Sequence, residues 1–212
     1  MTVSRRSLLA LASLSALRFA GPDPAYARAL AGTPPIAPIG RLWLRRERTG
    51  EEASAIVRTA AGYNHPDLVM LSWLLRDVDD GDAAVWIEPQ LFDLLASIQA
   101  AMSAVHGAPL PLVVTSGYRT RRHNAGIEGA ARGSLHLAGR AIDVKAAGYS
   151  PAAVAMAGAL FARGGVGIYP SFCHLDVGRV RAWTGRARPM AEPGKVEIPT
   201  PGSALPPPES AS

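Results

Sequence analysis

The chain has 212 residues, 48% of them hydrophobic and 18% charged, with a formal net charge of +5. Four arginines and one aspartate fall within residues 1–29, so the remainder is nearly balanced, at +2. No basic run is interleaved with aromatics, which argues against nucleic acid as a partner, and the lone Cys173 excludes an internal disulfide.

Arg5 and Arg6 precede an apolar run, Leu8 to Leu17, that is too short to span a bilayer. With small residues at Ala25, Ala27 and Ala29 as cleavage positions, residues 1–29 read as an export signal of the twin-arginine type. The expected location is the periplasm or cell envelope, with membrane contact only through that signal. Residues 30–40, rich in Pro and Ala, read as a linker, and 41–185 as one domain able to bury its own core. From 186 to 212 the composition turns to Pro, Ala, Ser and Gly without an apolar period, which predicts a disordered tail; nothing in it identifies a partner.

Within the domain, Leu42 and Leu44 alternate with charged residues, and Thr49-Gly50 is placed to turn the chain into a second strand near Ala53 to Arg58. Pro66 to Arg76 carries Leu68, Leu71, Trp73, Leu74 and Leu75 at helical spacing. Asp77 to Asp82 lacks the closing Glu of a calcium loop and reads as a solvated acidic turn. A helix opens at Pro89, carries the stripe Leu91, Leu94, Leu95, Ile98 and Met102, and is ended by Gly107. Leu110 to Thr115 is a buried strand, Ala125 to Gly133 a loop, and Ser150-Pro151 starts a helix that Gly164 is expected to close. Val166 to Tyr169 and Phe172 to Val177 form a hairpin around Pro170-Ser171, and Arg179 to Trp183 offers a last strand.

The chemistry gathers in Ser134-Leu-His-Leu-Ala-Gly-Arg-Ala-Ile-Asp143 and Cys173-His-Leu-Asp176. In a strand over Ala141 to Lys145, Asp143 points away from Ile142 and Val144, and so away from the core. In the later strand His174 and Asp176 share one face, while Cys173, Leu175 and Val177 share the other. Cys173 therefore has no access to His174 as a base and reads as a core residue. His136, Asp143 and His174 supply two imidazoles and a carboxylate, the ligand count of a catalytic zinc that keeps its fourth position open. Arg119, at the end of a strand, is placed to clamp a carboxylate or steady an oxyanion, the alternative being an ion pair with a nearby acid.

The string S-x-H-x-x-G-x-A-x-D with the later H-x-D resembles the zinc peptidases that include D-Ala-D-Ala carboxypeptidases, phage murein endopeptidases and the Hedgehog signalling domain, and most nearly the YcbK-like murein endopeptidases. The likeness runs from Arg41 to Trp183 through Thr49-Gly-Glu51, Leu75-Arg-Asp77, Ile87-Glu-Pro89, Ser116-Gly-Tyr-Arg-Thr120 with Asn124, Gly164-Gly-Val-Gly167 and His174-Leu-Asp-Val-Gly-Arg-Val-Arg181. It implies an α+β fold with a mainly antiparallel sheet and helices on one face. It also implies one Zn2+ held by His136, Asp143 and His174, and hydrolysis of amide bonds in peptidoglycan peptide stems. His123 is not a ligand in the family pattern, and Asn124 is expected to brace the loop.

One position departs from the carboxypeptidases. They carry an acid three residues before the last histidine, where this chain has Ser171. Asp176 is then the expected general base, with orientation of a ligand histidine as its alternative role. Ser134 and Trp183 are expected on the substrate side. The nearest alternatives are a carboxypeptidase that trims terminal D-Ala and a wall-binding protein whose zinc is structural.

Overall fold

A computed structural model describes residues 40–185. The expected signal at 1–29, the linker up to residue 39 and the tail from 186 lie outside the described residues. Strand β1 (Arg41–Arg46) pairs antiparallel with β2 (Glu52–Ile56), and Gly50, at φ 73°, makes the turn. Alternation buries Leu42 and Leu44 and turns Arg41 and Arg45 outward. A short ribbon, β3 (Arg58–Thr59) and β4 (Gly62–Tyr63), leads into α1 (His65–Leu74). Helix α2 (Pro89–His106) has the predicted proline start and ends at Gly107 in the left-handed conformation. Its stripe of Leu91, Leu94, Leu95, Ile98 and Met102 is fully in the core, at about 1.5–3 kcal/mol of burial each.

The chain continues through β5 (Leu112–Ser116), the one-and-a-half-turn α3 (Arg121–Gly126), a 3-10 turn over Leu135–Ala138, and β6 (Ala141–Ala146). Helix α4 (Pro151–Leu160) has Ser150 as its cap, the Ser150 hydroxyl accepting from Ala153 N–H. It is followed by β7 (Gly165–Ile168), β8 (Cys173–Asp176) and β9 (Arg181–Thr184). Seven strands form one sheet in the order β2-β1-β5-β6-β8-β7-β9. Only β1–β5 and β7–β9 run parallel, so the sheet is mainly antiparallel as expected. One apolar core lies between the sheet and the helices, and Cys173 belongs to it. Among the described residues no helix is long and apolar enough to cross a membrane.

Three expectations need correction. Helix α4 stops at Leu160 instead of running to Gly164, and the loop expected over Ala125 to Gly133 starts only after Gly126, because α3, capped by the Thr120 hydroxyl, takes in its first two residues. Trp73, one of the apolar residues whose spacing predicts this helix, does not share their burial: it is 53% exposed, since α1 is apolar around its circumference and buries only one side.

β1 outruns its parallel partner, because Leu44 is the first residue to find one, Leu112. Gln99 of α2 completes the ladder. Its Oε1 accepts from Trp43 N–H at 2.7 Å, and its Nε2 donates to the carbonyls of Trp43 and Leu110. Gln99→Leu leaves these buried groups unpaired and is expected to cost about 2–4 kcal/mol, read as a lower denaturation midpoint with an unchanged slope.

Candidate active site

The site is one row of residues across five strands. Ser116 of β5 pairs with Asp143 of β6, Asp143 with His174 of β8, His174 with Gly167 of β7, and Gly167 with Trp183 of β9. Direct opposition brings side chains on one face within about 4.5–5.5 Å at Cβ, so Asp143 and His174 meet by register alone. Gly167 has no side chain, and the Trp183 ring lies over the gap: a Cβ there would sit 2.7 Å from the ring. Trp183 thereby reaches the His174 ring, 5.3 Å between centroids. His136 arrives from the 3-10 turn, whose cap is the Ser134 hydroxyl and whose end is Gly139 at φ 63°.

Three donor atoms form a triangle. His174 Nδ1 lies 2.9 Å from Asp143 Oδ1, His136 Nε2 lies 3.3 Å from the same oxygen, and the two ring nitrogens are 3.2 Å apart. Ligand atoms about 2.0–2.2 Å from a tetrahedral zinc are about 3.3–3.6 Å from one another, so the triangle has nearly the edge such an ion requires. The ring tautomers also suit it. His136 Nδ1–H donates to the Gly117 carbonyl at 2.6 Å, which leaves Nε2 with a free lone pair. His174 Nε2–H faces Asp176 Oδ2 at 3.4 Å, which leaves Nδ1 free.

Electrostatics favour the ligand form of His136 and Asp143 and, without an ion, work against it at His174. Burial lowers the pKa of His136 against the opposing pull of Asp143, so its ring is neutral. Burial opposes ionisation of Asp143, but His136, His174 and Arg119 outweigh it and keep the carboxyl well below the usual range. For His174 burial is again opposed, here by the carboxylates of Asp143 and Asp176, and the net shift is upward. Burial drives the Cys173 thiol up to about 12, in keeping with an inert core position.

The other expected site residues fall around this triangle. Arg119 donates through Nη2 to Asp143 Oδ2 and through Nε to the Ser116 hydroxyl, so it is tied to a local acid. Its Nη1 has no partner among the described residues. Ser134 is spent on capping, at 3.4 Å from His136 N–H. Ser171 is exposed in the β7–β8 turn. Asp176 is fully buried: Oδ1 accepts from Gly165 and Gly178 N–H, and Oδ2 from Arg181 and His174. Burial works against its ionisation, yet these donors bring its pKa down to about 2.

Sequence reasoning missed several partners: the Gly117 carbonyl, the Asp176 cradle of Gly165, Gly178 and Arg181, and Tyr169, whose hydroxyl accepts from Trp183 Nε1 at 3.3 Å. The glycines carried a signal, since all three stand within the quoted landmarks. A second group, Asp77, Asp79 and His123, is also close enough for a metal. Its atoms are engaged, however: Asp77 accepts from Thr120 N–H and meets His123 Nδ1 at 2.8 Å, and Asp79 pairs with Arg48. Asp77 is buried and ties α3 to the preceding loop, which corrects the expectation that it belongs to a solvated turn. Asn124 braces its loop as expected, through a bond from Nδ2 to the Ala131 carbonyl.

An α+β domain that gathers two histidines and an aspartate is of the class built around a site able to hold a metal ion. Comparison with known proteins narrows the class. The Peptidase M15_2 family, described as "Peptidoglycan L,D-endopeptidase MepK", matches residues 37–183. A protein of Haemophilus influenzae described as "Probable peptidoglycan L,D-endopeptidase MepK" is 33% identical over 150 residues, 68% of this chain and 78% of its own length. No solved structure matches. The chain belongs to the Peptidase M15_2 family and is a peptidase.

Proposed function

We propose that the protein is a zinc-dependent peptidoglycan endopeptidase that cuts amide bonds in peptide cross-links, the L,D linkage named for its relatives being the first candidate. The observation that carries this reading is the triangle of His136 Nε2, Asp143 Oδ1 and His174 Nδ1, with edges of 2.9–3.3 Å. These three residues would hold the ion. Zinc in such a site supplies Lewis acidity for attack by water on an amide. The protein's own groups do the rest. Arg119 fixes Asp143 through one arm and offers Nη1 to a substrate carboxylate or a developing oxyanion. Trp183, held by Tyr169 and by the gap at Gly167, walls the cleft beside His174.

Asp176 is assigned here to orientation and not to proton transfer. Its oxygens are filled by four donors, and it stands on the far side of the His174 ring from the triangle. It fixes the tautomer that frees Nδ1. Substrate location and the twin-arginine pattern at Arg5 and Arg6 together support export to the cell envelope.

Digestion of purified cross-linked muropeptides, with products read by mass spectrometry, tests the assignment on wild type and His136→Ala. Conversion of dimers to monomers by wild type alone is expected and identifies the bond. Intact dimers that lose a terminal alanine would make the protein a carboxypeptidase, and a folded, zinc-bound wild type with no product would overturn the enzyme reading.

A further inference from the structure

Strands β8 and β9 lie two strand spacings apart, about 9.5 Å, with β7 between them. Side chains of β9 reach β8 only where β7 leaves room, and it does so twice in succession. In the site row Trp183 crosses Gly167 to His174; in the next row Arg181 crosses Gly165, its partner in the register, to Asp176. A Cβ at Gly165 would collide with the Asp176 carboxylate and stand 3.0 Å from Arg181 Cζ, just as one at Gly167 would strike the Trp183 ring. Arg181 and Trp183, two residues apart, share a face of β9. They also touch, the guanidinium lying 4.8 Å from the centre of the Trp183 ring. One guanidinium thus has its edge on Asp176 Oδ2, at 2.8 Å, and its face on Trp183.

We propose that Arg181 is a positioning residue that couples the substrate wall, Trp183, to the ligand His174 through Asp176. The proposal rests on the zinc peptidase reading above. Gly165 and Gly178 N–H hold Oδ1 of Asp176, so the remaining freedom of that carboxylate is the rotation that carries Oδ2, and Arg181 removes it. A fixed Oδ2 keeps the His174 ring turned with Nδ1 toward Asp143 and the triangle. The same guanidinium backs the Trp183 ring, whose other hold is the bond from Nε1 to Tyr169. Substrate that settles Trp183 therefore settles His174 as well, and zinc and substrate each favour the arrangement the other needs. An ion pair that merely closes the edge of the sheet would account for the bond to Asp176; the stacking on Trp183, beside a second glycine gap, is what points to coupling.

The test measures zinc affinity, by competition with a chromophoric chelator, beside KM on a cross-linked muropeptide dimer at saturating zinc. Arg181→Met removes both contacts. Its zinc affinity is expected to fall about 10–100-fold, and its KM to rise about two- to fivefold, the range of an exposed cation–π contact. Arg181→Lys separates the two effects, because an ammonium bound to Asp176 has no planar face to lay on the indole. It should regain zinc affinity to within about threefold of wild type and keep the raised KM. Wild-type values of both quantities in Arg181→Met would reduce Arg181 to a structural ion pair and overturn the proposal, and loss of only one of them would remove the coupling. Should Arg181→Met fail to fold, Arg181→Lys decides: raised KM with near-native zinc affinity supports the proposal, and wild-type values of both overturn it. If wild type binds zinc but cuts no dimer, equilibrium binding of the dimer replaces KM; the same pattern would then keep the coupling and remove the peptidase. A wild type that binds no zinc would remove both.

Discussion

Asp143→Ala is expected to reduce turnover below about one-thousandth of wild type, because the several kcal/mol that a Lewis acid contributes is lost with the ion. Asp143 is the hub of the site: Oδ1 faces both imidazoles, and Oδ2 accepts from Arg119. Its removal takes away one of the three proposed zinc ligands and also leaves the Arg119 guanidinium, 12% exposed, without its anion. Breaking a buried pair from one side costs about 3–5 kcal/mol, so a lower Tm should accompany the loss of zinc. Asp143→Asn keeps the shape and an acceptor for Arg119, and should retain more of the stability while still binding zinc poorly. Zinc content after gel filtration, thermal unfolding and muropeptide turnover measure the three effects. Wild-type turnover by zinc-free Asp143→Ala would end the metal assignment.

Two corners of the triangle were legible in the sequence because strand alternation is a local rule, while His136, on a 3-10 turn, was named through the family resemblance. Asp143 between Ile142 and Val144, and His174 between Cys173 and Leu175, each declare a face without reference to anything distant. Helix α2 was legible for the same reason, its stripe and both ends being written within Pro89 to Gly107. What stayed hidden depends on topology. That Gly167 stands between His174 and Trp183 follows from β7 pairing on both sides, antiparallel to β8 and parallel to β9, and no local pattern encodes a parallel neighbour. Asp77 misled for a similar reason. Four acids in six residues look solvated, yet the groups that bury Asp77 belong to Thr120 and His123, more than forty positions on. The role of Asp176 also turned on contacts from Gly165 and Arg181 that register alone brings to it.

Asp176→Asn distinguishes orientation from proton transfer. In the native site both donors on Oδ2, Arg181 Nη2 at 2.8 Å and His174 Nε2 at 3.4 Å, need an acceptor. The backbone N–H groups of Gly165 and Gly178 already require an acceptor at Oδ1, so the amide nitrogen of asparagine is forced to the Oδ2 position. There it meets two donors and can accept from neither. The His174 ring then loses the partner of its Nε2–H, and the tautomer with a proton on Nδ1 becomes competitive, which withdraws a lone pair from the triangle. Zinc affinity is expected to fall about 10–100-fold, the range for lost outer partners of metal ligands. Saturating zinc restores the ligand tautomer by mass action, so the variant should then recover most of its turnover. If Asp176 were the general base, zinc would saturate the site and turnover would remain about 10²–10⁴-fold down, the contribution of positioned proton transfer. A zinc titration of activity beside a zinc titration of binding reads both quantities on one sample. The buried, four-donor environment of the carboxylate favours the first outcome, since a base must exchange its proton with water and Asp176 exposes no surface through which to do so.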